Sequence, residues 1–297
     1  MPEKIAFIIN PVSGRKTHGN IENIIINTLD ELYEPYFFYT ERGGHASELA
    51  QQCLEQGINV IAAVGGDGTV NEIAKTLIGT SATLAIIPKG SGNGLARHLK
   101  IPMSLKGSLR VLNNGKIQRI DVGKVNGHYF FCTCGVGFDA QISKRFATSK
   151  KRGFVSYVYW VLKELSTYKS KKYKVRVDGK TITTKAFILS FANANQFGNN
   201  FKIAPFADIS DGYLDICIFK PFPGYALTST IARVYLGKIG KSPYYKLIRA
   251  QEAELLKEKK YQMHIDGEPI QMKSPIKVNL HKKSLNVVVP YRFELYD

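Results

Sequence analysis

Four short apolar runs, Ile5 to Ile9, Tyr36 to Tyr39, Val60 to Val64 and Leu84 to Ile87, punctuate the first hundred residues, each bounded by Gly, Pro or Asn. Residues 20–32, 45–56, 70–78 and 91–99 carry apolar side chains at helical spacing instead. Strand and helix in alternation imply crossover connections, so the strands pair in parallel and helices cover both faces of the sheet. In such folds ligands bind beyond the carboxyl ends of the strands.

After about residue 115 the texture turns β-rich. The segments GKIQRIDVGKVNGHYFFCTCGVGF, KYKVRVDGKTITTKAFILSFAN, GYLDICIF, KYQMHIDGEPI and IKVNLHKKSLNVVVP read as strands joined by N-G, D-G and similar turns. An antiparallel β-sandwich is the expected architecture, interrupted by helices at about 155–168 and 224–240. The chain therefore divides into an α/β domain over residues 1–123 and a β-rich domain over 124–297, whose last residues can return to the first. With 297 residues it exceeds the size at which one core usually suffices.

Charge narrows the partners. The chain carries 41 Lys and Arg against 24 Asp and Glu, a net charge of +17, which favours an anionic partner: a nucleic acid, nucleotide phosphates or an anionic membrane surface. Four cysteines are too few for a disulfide scaffold, and the Cys132-x-Cys134 pair lacks a companion pair at zinc spacing, so it reads as buried strand. The opening MPEKIAFIIN has an apolar run too short for a secretory signal, and no stretch approaches the length of a spanning helix. A reduced, cytoplasmic protein is expected, one that can associate peripherally with a membrane.

The sharpest chemical signal is GGDGTVNE, Gly65 to Glu72, set between the apolar run INVIAAV and a helix. Consecutive glycines let backbone N–H groups approach an anion, and a helix N-terminus adds favourable partial charge. Asp67 inside such a nest calls for a metal or a transferable proton between it and the phosphates; the plainer reading is a turn whose Asp caps the helix. PKGSGNGLA, Pro88 to Ala96, repeats the arrangement one βα unit later, and NPVSGRK, Asn10 to Lys16, supplies a third tip with Arg15 and Lys16. No GxxxxGK[ST], GxGxxG after the first strand, GxSxG or HExxH occurs, which removes P-loop, dinucleotide oxidoreductase, α/β-hydrolase and zincin readings.

The runs IINPVSG, GGDGTVNE and IIPKGSGN, followed by GVGFDA, SDGYLDI and IDGE in the β-rich half, resemble the diacylglycerol kinase catalytic-domain family, which includes the sphingosine and ceramide kinases. GGDGT alone is shared with NAD kinases; VNE and the late IDGE point to lipid kinases. The resemblance implies an NAD kinase/diacylglycerol kinase-like fold and an ATP- and Mg²⁺-dependent transfer of phosphate to the hydroxyl of a membrane lipid. Asn10, Pro11, Val12, Ser13, Gly14, Thr40, Gly66, Asp67, Gly68, Thr69, Val70, Asn71, Glu72 and Ser91 match positions that line ATP. Glu268 matches the family's proton acceptor, with Asp67 the metal-linked carboxylate and alternative base. Asp139 is similar to the aspartate that meets the lipid hydroxyl, and Asp208, Asp211 and the Tyr213 carbonyl match a structural Mg²⁺ site. Bottom-up, two carboxylates and a carbonyl suit a hard cation, although a solvated turn explains them too, and Asp266-Gly267 before Glu268 reads as a hairpin turn. Where many bacterial members carry an acid after the asparagine of the second glycine loop, Gly94 follows Asn93 here. The six histidines are scattered and read as surface or packing.

Between Lys144 and Arg176 stand eleven Lys and Arg against the single Glu164, around the aromatic FVSYVYWVLKEL with Tyr157, Tyr159 and Trp160. A monotopic enzyme lays such a helix on anionic lipid; a core helix followed by a solvated basic strand is the other reading. An NAD kinase-like phosphotransferase and a basic nucleic-acid-binding module are the rival functions. The second lacks any recognisable nucleic-acid motif, so no nucleic acid is expected as a partner, while a homodimer is allowed.

Overall fold

The computed structural model describes residues 2–14, 20–149, 154–165, 167–256 and 260–291. Arg15, Lys16 and the basic run from Lys150 to Arg152 lie outside them, as does the side chain of Tyr157. The chain forms two compact units, one of residues up to Ile120 together with those from Lys283 onward, the other from Asp121 to Lys282.

The first unit carries the expected alternation: β1 (Glu3–Ile9), α1 (Ile21–Ile26), β2 (Tyr33–Tyr39), α2 (His45–Glu55), β3 (Val60–Gly65), α3 (Asp67–Leu77), β4 (Thr83–Pro88), α4 (Gly94–His98) and α5 (Leu105–Asn114). The strands pair in parallel in the order β2-β1-β3-β4. Every residue of β3 and β4 is buried, the mark of a parallel sheet covered on both faces. Ile5, Phe7 and Ile9 point to one face and pack with Val60, Val64, Ile25 and Leu112. Two expectations change. The helix after β3 begins at Asp67, so Gly68 belongs to its first turn rather than to a loop, and α5, capped where Ser104 Oγ accepts the Gly107 N–H at 3.2 Å, adds a helix outside the four expected segments, with Leu105, Leu109 and Leu112 at helical spacing.

The second unit is entered along β5 (Lys116–Val125) and continues through β6 (His128–Phe130), β7 (Thr133–Gly137), α6 (Phe138–Ala147), α7 (Phe154–Leu165), β8 (Lys171–Val177), β9 (Lys180–Ala186), β10 (Ile188–Ala192), β11 (Leu214–Phe219), α8 (Leu227–Tyr235), β12 (Tyr245–Ala250), β13 (Glu252–Leu256), β14 (Lys260–Ile265), β15 (Glu268–Lys273) and β16 (Ile276–Val289). One antiparallel sheet runs β12-β11-β10-β7-β14-β15, and a second joins the start of β16 to β13, β8 and β9. Phe130, Val136, Phe191 and Met263 share a core with Val175, Leu255 and Val278, which makes the pair a sandwich. Its alternating strands are legible in β8, buried at Tyr173, Val175 and Val177 with Lys172, Lys174 and Arg176 outward. The segment IKVNLHKKSLNVVV is one strand: β16 begins in the second unit and ends beside β4 of the first, where it pairs in parallel at Asn286 and Val287. All four cysteines are buried free thiols.

Candidate functional site

Three loops leave the carboxyl ends of β1, β3 and β4, and the first unit brings them into contact. In the first, Asn10 Oδ1 accepts the Val12 N–H at 3.1 Å and the Asn10 carbonyl accepts that of Ser13 at 3.2 Å, which curls Pro11 to Gly14 into a turn with Val12 outermost. Asn10 Nδ2 donates to Thr69 Oγ1 at 3.1 Å, tying this turn to α3. Gly14, at φ +79°, lies where a Cβ would stand 2.8 Å from the Lys89 carbonyl. A Cβ on Gly90 would stand 2.7 Å from the Gly66 Cα, and one on Gly92 2.6 Å from Asp67 Oδ2. Only glycine permits these approaches, so backbone together with the Asp67 carboxylate lines the place where the loops meet. The N-terminus of α3, at Gly66, has no side-chain cap, which leaves its first N–H groups directed at that place.

Asp67 joins the second loop to the third. Its Oδ2 accepts the Asn93 N–H at 2.8 Å and its Oδ1 the Gly94 N–H at 2.7 Å, so this carboxylate caps α4. Asn93, in the left-handed region at φ +49°, closes the loop on itself by donating to the Gly90 carbonyl at 2.7 Å and accepting the Gly90 N–H at 3.1 Å. A carboxylate has about four acceptor positions, so each Asp67 oxygen retains one. Gly68 faces open space and Ser91 is exposed at the tip. Burial draws the Lys89 ammonium below its ordinary value. Thr40, buried after β2, donates its N–H to the Ile9 carbonyl, beside the first loop. Glu72 is used differently: its carboxylate accepts the N–H groups of Gly44 and Ala46 at 3.0 and 3.2 Å and so fixes the start of α2, while Val70 is buried under α3 and Asn71 is half-buried beside it.

The second unit holds the remaining candidates. Glu268 opens β15 after a turn in which Asp266 and Gly267 both have positive φ, the type I′ hairpin that Asp-Gly favours. It is exposed, and no hydrogen bond or ion pair occupies its carboxylate among the described residues. Asp266 is more than a turn residue. Its carboxylate accepts N–H groups from Phe131, Cys132 and Thr133 at 2.8, 2.8 and 2.9 Å, pinning the turn to the start of β7; burial raises its pKa against the pull of those three donors. Asp139 sits in the first turn of α6, where Gly135 leaves room: a Cβ there would approach its Oδ2 to 3.0 Å. Asp139 Oδ1 accepts the Ala140 N–H at 2.8 Å and Oδ2 lies 3.0 Å from Nε2 of His264, a buried histidine that sequence reading passed over. Asp139 is also the one acid on the wall of an apolar cavity of about 320 Å³, lined by Phe138, Phe187, Phe197, Phe201, Phe222 and Val234 among others.

The loop Asp208–Tyr213 closes on itself. Asp208 Oδ1 accepts the Ser210 N–H and hydroxyl at 3.0 and 2.7 Å, and Asp211 Oδ1 the Tyr213 N–H at 2.9 Å. Asp211 is also ion-paired with Arg249, which lies 3.7 Å from buried Asp215. Burial pushes the Asp215 carboxyl up to about 6. Gly212, at φ +76°, donates its N–H to Asp121 Oδ2 at 2.7 Å. Among the described residues no three His, Cys, Asp or Glu side chains are grouped to hold a metal ion.

Residues 4–125 match the diacylglycerol kinase catalytic domain and residues 132–289 the YegS C-terminal NAD kinase beta sandwich-like domain. The chain belongs to the diacylglycerol kinase catalytic-domain family. Among its relatives are the diacylglycerol kinase of Staphylococcus saprophyticus, 25% identical over 273 residues that cover 90% of each chain, and that of Staphylococcus aureus strain NCTC 8325, 25% identical over 90% of this chain and 87% of the other. A crystal structure of a diacylglycerol kinase from Bacillus anthracis superposes with a TM-score of 0.74 at 20% identity, and a second structure from that organism with 0.77 at 21%, each over 97% of both chains. The structural likeness shows the two-domain fold. Family membership makes the chain a kinase of the lipid-kinase group, and among the described residues no helix is long and apolar enough to cross a membrane.

Proposed function

We propose that this diacylglycerol kinase family member transfers the γ-phosphoryl group of ATP to the hydroxyl of a membrane lipid, either a diacylglycerol or a sphingoid base or ceramide. The observation that carries this is the backbone-lined meeting of three glycine loops at the uncapped N-terminus of α3, where Gly66 and Gly90 leave no room for a side chain. Such a surface suits the phosphates of a nucleotide.

The chain's carboxylates divide the remaining work. Asp67, fixed by Asn93 and Gly94, has acceptor positions left to hold a nucleotide-bound Mg²⁺. When bound, that ion offsets charge on the β- and γ-phosphates. Asp67 is too committed to backbone N–H groups to move as a base. Glu268, exposed and unengaged, is the proton acceptor for the lipid hydroxyl. Asp139 orients that hydroxyl, and the apolar cavity beside it takes alkyl chain. Asp208, Asp211 and the Tyr213 carbonyl are oxygen donors of the kind a second Mg²⁺ requires, with Arg249 its competitor for Asp211.

The route to the lipid is an anionic membrane surface. Tyr159, Leu162 and Leu236 of the second unit are exposed, and Lys163 stands 5.0 Å over the Trp160 ring. Lys172, Lys174 and Lys185 line the outward faces of β8 and β9. Apolar and aromatic side chains among cations are the composition of an interfacial binding face.

The test is labelled-phosphate transfer from Mg–ATP to a total lipid extract in mixed micelles, with NAD in a parallel reaction. A labelled lipid supports the reading and its mobility identifies the acceptor; label in NADP alone would transfer it to an NAD kinase-like enzyme.

A further inference from the structure

Asp139 presents a chemical problem that its neighbour solves. A carboxylate on the wall of an apolar cavity is costly unless hydrogen-bonded, and the adjacent Ala140 N–H satisfies only Oδ1. Oδ2 faces His264 Nε2 at 3.0 Å, with both side chains buried from solvent. The other ring nitrogen decides the tautomer. Gly267 directs its N–H at His264 Nδ1, at 3.4 Å, so Nδ1 accepts and Nε2 carries the hydrogen that Asp139 receives. Phe197 packs edge-on at 5.5 Å between ring centroids and holds the plane of the imidazole. One ring therefore connects the carboxylate at the cavity wall to the turn that precedes Glu268.

We infer that His264 is a positioning residue: it holds Asp139 oriented toward the cavity, with acceptor positions left for an acceptor hydroxyl, and it steadies the turn that presents Glu268. The inference rests on the lipid-kinase reading for its effect on rate, whereas the tautomer and the hydrogen bond stand apart from it. Carboxylate, imidazole and backbone N–H form an orienting chain like that of a hydrolase triad, in which the middle ring takes its direction from both ends. Here the ring touches no reacting atom.

The groups facing this pair are known. Asp139 is faced by the Cys134 thiol of β7 and by Tyr168 beyond α7, and His264 by Asp266 at the end of its own strand. Burial raises the thiol well above its ordinary value and the Tyr168 hydroxyl to about 12, so both stay neutral near neutral pH.

The experiment compares His264→Leu with His264→Gln, whose amide can place a donor near the position of Nε2. His264→Leu is expected to lower kcat for lipid about 100-fold with the KM for ATP unchanged. His264→Gln is expected to restore most of the rate. Equal losses in both variants, following equal falls in melting temperature, would reduce His264 to packing. ¹⁵N NMR of the wild-type ring supplies a readout independent of turnover: the neutral Nε2–H tautomer, perturbed in Asp139→Asn, is expected. The Nδ1–H tautomer, or a ring indifferent to Asp139→Asn, would overturn the pairing. Wild-type protein that labels no lipid while showing the expected tautomer would sink the kinase reading and the effect on rate, and support the pair.

Discussion

Asp67 and Gly94, 27 positions apart, are joined by a 2.7 Å hydrogen bond that makes one carboxylate the tie between two glycine loops. The aspartate of GGDG thus has a structural task before any metal arrives. Asp67→Asn leaves one oxygen for two N–H donors and turns an amide N–H₂ toward the other. Hydrogen bonds to charged groups contribute roughly 1.5–3 kcal/mol each. The variant is therefore expected to lose phosphoryl transfer and to melt a few degrees lower, read by calorimetry beside the transfer assay. Lost transfer with an unchanged melting temperature would show that the tie contributes nothing to the fold.

The glycines of the loops separate space for backbone from space for ligand. Gly90→Ala puts a methyl 2.7 Å from the Gly66 Cα, where only backbone movement can relieve it, and overpacking of that kind costs about 1–3 kcal/mol. Gly68→Ala meets nothing within 4 Å and lies in the first turn of α3, where alanine is favoured by roughly 0.5–1 kcal/mol. Gly90→Ala is expected to lower both stability and nucleotide affinity. Gly68→Ala is expected to raise the melting temperature while weakening nucleotide binding, since its methyl enters the open space beside the helix N-terminus. Unaltered nucleotide affinity in Gly68→Ala would move the phosphates elsewhere.

Two neighbouring acids of the IDGE turn are expected to fail in opposite ways. Glu268 is exposed and has no partner among the described residues, so Glu268→Gln should leave the melting temperature unchanged and lower kcat by about 10²- to 10⁴-fold, the usual range for a lost general base. Asp266 satisfies three backbone N–H groups, so Asp266→Ala strands them and should unfold the sandwich more readily by several degrees. Normal turnover by Glu268→Gln would return the base to another group.

The legible parts of the sequence were those governed by local chemistry. Uninterrupted burial wrote β3 and β4 as short apolar runs, and Asp-Gly wrote the hairpin before Glu268. Lys283 passes through φ +48° inside β16 without turning the chain, because each half of that strand has a neighbour in a different unit. Long-range pairing of that sort has no local signature. β12 and β13 went unread for a similar reason: their polar residues sit at a sheet edge or on outward faces. The same division holds at the site. The glycine-rich motif marked Asp67 and the family resemblance marked Glu268, whereas the bond from Asp139 to His264 spans 125 positions and the anchoring of Asp266 up to 135, so both emerge only from the pairing of β14 with β7.

The buried thiols give a last test, of the core itself. Cys53, Cys132, Cys134 and Cys217 are all below a tenth exposed. Burial pushes Cys53 up to about 11 and holds Cys134 and Cys217 well above the ordinary thiol value. The thiolate is the reacting form, so a raised pKa suppresses alkylation together with steric exclusion. The native protein at pH 8 is expected to react with iodoacetamide at none of the four within the time a free thiol reacts completely, and the protein in guanidinium chloride at all four. Rapid labelling of Cys134 in particular would mean that β7, and with it the Gly135 that makes room for Asp139, opens far more often than a central strand of this sandwich should.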